Sequence, residues 1–222
     1  MLSPVVGVLL PVGVTTRAWV RASSVASSTS STGASALGRK QRMASLVLKM
    51  SVSLDGYVAP PDGSPDWVAA GRSPDGARWV LETVSNASVH LMGAATYATW
   101  AGFWPTAPGP FAKPMNDIPK VVFSDSLESA DWAETTIVSG DLTEAVTRLK
   151  QEHSGGYLLA QGGTRFARSL VKTGLIDEYR LVIHPVVLGS GERLFTAPLT
   201  IEPISTTAFS GGAVAHVFAA HP

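Results

Sequence analysis

Three short segments carry residues able to hold phosphate: Gly93 with Thr96, Ser124 ahead of Asp125 and Ser126, and Gln161-Gly162-Gly163-Thr164. Glycine lets a backbone approach a pyrophosphate closely, and threonine at a helix start adds a hydroxyl to the free N–H groups of the first turn. Serine hydroxyls suit a ribose or its phosphate. A fourth segment, Asp55-Gly56, brings a carboxylate that can form a turn with nearby N–H groups or contact a substrate. Both readings of Asp55 stand on the sequence. Each of the three segments alone is ordinary turn chemistry, but three in comparable strand-end positions point to a shared ligand.

Strands alternating with helices must position these segments. Leu46–Leu54 alternates as a first strand that Asp55-Gly56 turns, and Tyr57-Val58-Ala59 briefly continues it. A helix is expected over Asp75–Ala87, a buried strand over Val89–Met92 and a helix over Ala94–Phe103. The proline-rich stretch from Trp104 to Pro119 reads as an irregular loop, followed by strands at Lys120–Phe123 and Thr135–Val138. Asp141 or Gly140 caps a helix running to Glu152. Tyr157–Ala160 is then an apolar strand, Thr164 caps a helix with Phe166, Ala167, Leu170 and Val171 on one face, and Gly174 ends it. Glu178–Val187 returns as a strand. Ile204–Phe209 and Val214–Ala219 form a hairpin around Gly211-Gly212. This order predicts a three-layer α/β fold on a mostly parallel sheet with an antiparallel C-terminal hairpin. In such sheets ligands bind beyond the carboxyl ends of the strands, where the three glycine and serine segments stand.

Composition removes several alternatives. The chain has 222 residues, 45% of them hydrophobic, with zero formal net charge and no cysteine. That excludes disulfides, thiolate metal sites and cysteine nucleophiles, and no basic field recommends nucleic acid. Five histidines are scattered without ligand-like spacing, so no metal site is expected. Residues 1–44 read as an extension and residues 45–222 as one domain. The first 42 residues hold no Asp or Glu and carry Arg17, Arg21, Arg39, Lys40 and Arg42. They resemble a transit-like leader, or a disordered tail ahead of a true start at Met43. Their apolar run Val5–Val14 is too short to span a bilayer. A cytoplasmic location is expected, with organelle import the alternative.

The segments SVSLDGYVA, LMGAATYATW, IPKVVFS and GGYLLAQGGTRFARSLVKTGLIDEYRLVIHPVVLGSGERLF resemble the dihydrofolate-reductase-like reductases. Within these, the chain is most similar to the C-terminal reductase domain of the riboflavin-biosynthesis deaminase-reductase and its stand-alone relatives. The resemblance runs from about Ser45 to Phe218 and implies an NADPH-dependent reductase, with NADH the alternative. It further implies a homodimer acting on a small heterocycle such as 5-amino-6-(5-phosphoribosylamino)uracil. By the same resemblance, Gly93 and Thr96 meet the pyrophosphate, Ser124 the adenosine ribose, and Gly162, Gly163 and Thr164 the phosphates. Asp55 faces the nicotinamide and substrate side.

Two departures qualify this. Ala94 and Ala95 stand where relatives often place an arginine for the 2′-phosphate of NADPH, with Arg165 a substitute. Ala77 stands near the substrate-gripping acid of dihydrofolate reductases, so a pterin substrate is not expected. The zinc-dependent deaminase half is missing, since its site needs cysteines. His184 reads as a satisfied core residue, Gly189-Ser190-Gly191 as a turn at the cleft edge, and Trp67 and Trp104 as candidate pocket walls beside a core-packed Trp100. Hydride transfer from a nicotinamide is the leading function, and a non-catalytic nucleotide-binding protein the alternative. No G-x-G-x-x-G turn follows the first strand, which counts against a Rossmann oxidoreductase.

Overall fold

The computed structural model describes residues 43–153 and 155–220, so the readings of residues 1–42 fall outside the described residues. Strands β1 (Ser45–Ser53) and β2 (Tyr57–Ala59) precede helix α1 (Pro74–Ser85), and β3 (Ala87–Gly93) runs into α2 (Ala94–Ala101). Helix α3 (Ala112–Asp117) leads to β4 (Lys120–Phe123) and β5 (Thr135–Val138). Next come α4 (Leu142–Glu152), β6 (Tyr157–Gln161), α5 (Thr164–Thr173) and β7 (Glu178–His184). A short β8 (Glu192–Arg193) is followed by β9 (Ile201–Ala208) and β10 (Val214–Ala220).

Eight strands share one sheet in the order β5-β4-β3-β6-β1-β7-β10-β9. The six from β5 to β7 are parallel, and the β9–β10 hairpin adds two antiparallel strands beside β7. This is the expected three-layer arrangement. β1 sits near the middle of the sheet, covered on both faces, which explains why Leu46, Val47 and Leu48 are all buried. Leu46, Leu48, Met50 and Val52 join a core with Val146 and Leu149 of α4 and Leu170 of α5. Val47 joins a second core with Val84 of α1, Trp100 of α2 and Met115 of α3.

Several boundaries differ from the sequence reading for local reasons. The Ser73 hydroxyl accepts from the Gly76 N–H to start α1, and Asn86 caps its end, so Ala87 already belongs to β3. Asp141, not Gly140, caps α4 by accepting from Glu144 N–H at 2.8 Å. Thr164 is not the cap of α5: Gly163 is, with φ of +71°, and Thr164 is the first helical residue. β7 stops at His184 because Pro185 has no N–H for the ladder. The loop from Trp104 to Pro119 contains α3, which sequence reading overlooked. The Lys120 ammonium holds it, donating to the carbonyls of Met115, Asn116 and Ile118 at its C-terminal end. β8 was also overlooked. It pairs with β2 in a separate two-stranded sheet beside the main one.

Candidate active site

A cleft of about 800 Å³ opens where β1, β3 and β6 end, the size of a small-molecule site. Its phosphate-friendly end is built from two helix starts. Gly93 caps α2 and Gly163 caps α5, and neither cap has a side chain covering the first N–H groups. The two turns are pressed together. A Cβ on Gly163 would lie 2.5 Å from the Thr96 hydroxyl oxygen, and one on Gly93 would lie 3.2 Å from Phe166 Cβ. Gly162 and Gly163 both adopt left-handed φ, +74° and +71°, which explains two glycines in succession.

The structure therefore brings Gly93, Thr96, Gly162, Gly163 and Thr164 together along the cleft, with Ala94, Ala95, Arg165 and the stacked pair Phe123–Phe166. Ser124 is not among the lining residues. Its hydroxyl accepts from the N–H groups of Ser126 and Leu127 and closes the turn after β4. Asp55 is also outside the lining. Its carboxylate accepts from the Ser53 hydroxyl at 2.6 Å and from the N–H groups of Leu188 and Gly189, pinning the loop after β7. The Ser53 bond, reinforced by those N–H groups, holds the Asp55 carboxyl down to about 2. Of its two sequence readings, the geometry displays the turn-forming one.

Side chains build the rest of the cleft. Lys49, Ser51, Trp67, Arg72, Trp104, Gln161 and His184 line it, a set in which sequence reading gave no role to Lys49, Ser51, Arg72 or the Gln161 side chain. Part of the Lys49 surface reaches the cleft, and burial pushes its ammonium down to about 8. It makes no hydrogen bond or ion pair with a described residue. A signal did exist in the sequence: lysine interrupts the apolar run of β1, which needs a reason in a covered strand. His184 is buried and satisfied as expected, with Nδ1 2.8 Å from the Ala70 carbonyl and Nε2 3.2 Å from the Ser51 hydroxyl. It also tethers the loop of residues 60–73, and Trp67 meets its ring edge-on at 5.5 Å. Burial lowers the His184 pKa against the opposing Ala70 bond, and the charges of Lys49 and Arg72 push the same way. Trp67, Trp100 and Trp104 all line the cleft, so Trp100 serves both wall and core.

The β2–β8 pair borders the cleft through Val58, Ala59 and Glu192. A Cβ on Gly191 would fall 2.0 Å from the Ala59 carbonyl oxygen, so only glycine allows the two strands to meet there. Among the described residues, no three His, Asp or Glu side chains are placed to hold a metal ion. No helix of the described residues is long and apolar enough to cross a membrane.

A strand–glycine–helix cradle repeated at β3 and β6, on this sheet order, is matched by a known family over most of the chain. The RibD C-terminal domain model matches residues 44–214. The chain belongs to that family. It is similar to the Bacillus subtilis (strain 168) protein YyaP, 28% identical over 187 residues, covering 81% of this chain and 95% of YyaP. It shares its fold with the Thermotoga maritima diaminohydroxyphosphoribosylaminopyrimidine deaminase/5-amino-6-(5-phosphoribosylamino)uracil reductase. That match has a TM-score of 0.60 at 16% identity, over 81% of this chain and 57% of the other. Enterococcus faecalis dihydrofolate reductase, in a complex with NADP(H), also shares the fold, with a TM-score of 0.56 at 11% identity over 82% and 98%. The RibD-type chain thus has the dihydrofolate-reductase-like fold that its motifs implied.

Proposed function

We propose that this RibD-type chain is an NAD(P)H-dependent reductase acting on a small planar heterocycle. The observation that carries the reading is the cradle itself: two helix starts without a side-chain cap, pressed together through Gly93, Thr96 and Gly163, in a cleft also lined by a lysine that has no partner among the described residues. Fixed N–H groups at helix starts suit a pyrophosphate, and the stacked Phe123 and Phe166 give an apolar surface for an adenine. The residues present fit a dinucleotide. Gly93, Thr96, Gly162, Gly163 and Thr164 would hold its phosphates, and Arg165, standing in for the guanidinium that Ala94 and Ala95 lack, would meet a 2′-phosphate.

A bound reduced nicotinamide would supply the hydride for a C=N or C=O bond. The chain's own contribution is position and a proton. Lys49 stands in the cleft with no acid to share its charge and with its pKa near working pH, as a proton donor to nitrogen or oxygen of the reduced bond requires. Val80, Val84, Trp100 and Trp104 exclude water from the ring's faces. Arg72 with Lys49 makes this region cationic, which favours a phosphate-bearing substrate such as 5-amino-6-(5-phosphoribosylamino)uracil.

The test has two stages. Saturating NADPH or NADH should raise the melting temperature, and the nicotinamide absorbance should fall when the ribosylamino-uracil substrate is added. A shift without turnover on any imine or carbonyl panel favours a nucleotide-binding protein without catalysis. No shift with either cofactor rules the reductase out.

A further inference from the structure

Five lysines fall among the described residues: Lys49, Lys113, Lys120, Lys150 and Lys172. Lys113 is paired with Asp117, Lys150 with Asp177 at 2.6 Å, and Lys120 donates to three carbonyls. Lys172 is exposed on α5. Lys49 differs from all of them, because it lines a cavity and has no hydrogen bond or ion pair with a described residue. Trp67, Val80, Val84 and Trp104 share that cavity and make it apolar, and burial there favours the uncharged amine. The uncharged amine is the nucleophilic form. Arg72 lines the same cavity, and its charge and that of Lys49 both bear on His184.

A group able to handle protons stands beside the amine. Lys49 and Ser51 leave the same face of β1, and Ser51 is the register partner of Val182, two positions from His184 on β7. The Ser51 hydroxyl is 3.2 Å from His184 Nε2, and His184 Nδ1 is 2.8 Å from the Ala70 carbonyl. A carbonyl only accepts, so Nδ1 carries the hydrogen of the neutral ring and Nε2 accepts from the hydroxyl. The serine oxygen therefore keeps lone pairs for a proton arriving from the cleft. We infer that Lys49 forms an imine with aldehydes that carry a phosphate, with Arg72 meeting the phosphate. The amine lone pair attacks the carbonyl carbon, and the proton that nitrogen sheds passes by way of Ser51 to the carbonyl oxygen. That oxygen then leaves as water as the C=N bond forms. Nothing is oxidised or reduced: amine and aldehyde give imine and water. The inference goes beyond the reductase reading and needs no dinucleotide.

The probe is pyridoxal 5′-phosphate, added in equimolar amount to the full chain at a pH of about 8, fixed with borohydride and mapped by mass spectrometry. At that pH about half of the Lys49 amines are uncharged, against roughly 0.3% for an ordinary lysine. Label at Lys49 should therefore exceed label at Lys172 at least about tenfold, with a pH midpoint near 8. Lys49→Met should lose the adduct. Arg72→Met, which keeps the lysine and guards against a Lys49 variant that fails to fold, should weaken capture of pyridoxal phosphate and leave capture of pyridoxal unchanged. Ser51→Ala should slow imine formation without lowering its final extent. Label absent from Lys49, label spread evenly over Lys49, Lys113 and Lys172, or equal capture of pyridoxal and its phosphate would each overturn the assignment. A chain labelled at Lys49 that shows no thermal shift with either nicotinamide keeps this inference and removes the reductase reading. A chain that binds NADPH but is labelled only at surface lysines does the reverse.

Discussion

The two parts of the cleft solve binding by opposite means. At the cradle, which we propose holds phosphate, the groups on offer are backbone N–H, and the side chains matter by being absent: Gly93, Ala94, Ala95, Gly162 and Gly163. Elsewhere along the cleft the backbone is paired in the sheet, and what a ligand would meet are the side chains of Lys49, Gln161, Trp104 and His184. A backbone site tolerates little change in conformation but carries no charge to titrate. A side-chain site is rigid in its frame, yet its protonation and hydrogen-bonding pattern can be altered one residue at a time.

The largest effect should come from breaking the first kind of site. Gly163→Val places a branched side chain at φ of +71° and against the Thr96 hydroxyl, within 2.5 Å. We expect dinucleotide binding to vanish and stability to fall by roughly 1–3 kcal/mol; urea unfolding and calorimetry measure the two separately. If the variant binds NADPH normally, the cradle is not the phosphate site.

Next, Lys49→Met should abolish turnover while leaving cofactor affinity within about threefold, because the lysine is not one of the cradle's residues. Its pKa of about 8 also sets a pH signature. Reduction in wild type should decline as pH rises through about 8, where the donor loses its proton. Stability runs the other way. The unfolded lysine holds its proton up to about 10.5, so between about 8 and 10.5 the unfolded state binds more protons and wild type gains stability as pH rises. Lys49→Met should flatten part of that gain, Lys120 supplying the remainder by the same sign. A melting-temperature series across the window checks it.

A third prediction concerns a polar pair away from the cleft. His90 and Lys120 are register partners, both essentially closed to solvent, and among the described residues neither imidazole nitrogen has a hydrogen-bond partner. Burial, with Lys120 adding its charge, lowers His90 to about 4. The unfolded state therefore takes up a proton between about 6.5 and 4 that the fold refuses, and stability falls with pH through that window. His90→Phe should remove up to about 3 kcal/mol of that acid sensitivity, read from urea midpoints at two pH values.

The smallest effect is expected at Asp55. Because its carboxylate is occupied by Ser53, Leu188 and Gly189, Asp55→Asn should loosen the loop after β7 and lower the melting temperature modestly while kcat stays near wild type. The stability contribution is present above the ordinary carboxyl pKa of 3.8 and is lost as pH falls toward about 2. A collapse of kcat with the fold intact would restore the carboxylate as a substrate ligand and sharpen the division between the two parts differently.

The same contrast explains what was legible. The glycine cradle could be read from the sequence because glycine after a buried strand is a local signal, and Gly93, Gly162 and Gly163 each announce a turn within a few residues. The sheet and its closing hairpin were legible from periodicity. Trp67 and Trp104 were legible as pocket walls, but the polar side chains beside them were not, because register brings those together. Nothing local places Lys49 beside Gln161; only the insertion of β1 next to β6 does so. Helix α3 was hidden among prolines, and the group that steadies it, Lys120, lies at the start of the next strand. Asp55 was legible as a turn residue, but its partners at Leu188 and Gly189 were beyond any local pattern.

The position of β1 has a consequence in time. The strand emerges first from the folded part of the chain, yet its two neighbours, β6 and β7, come last among the parallel strands. Its tie to Asp177, from the Leu46 N–H at 2.6 Å, spans 131 positions. During synthesis this apolar strand must wait, unpaired on both edges, until most of the domain has been made. Closure of such distant pairs is slow and leaves sticky edges exposed. The centre of the sheet and the Lys49–Gln161 pair are therefore completed together, so refolding monitored by ligand capture should report the same late step as burial of the core.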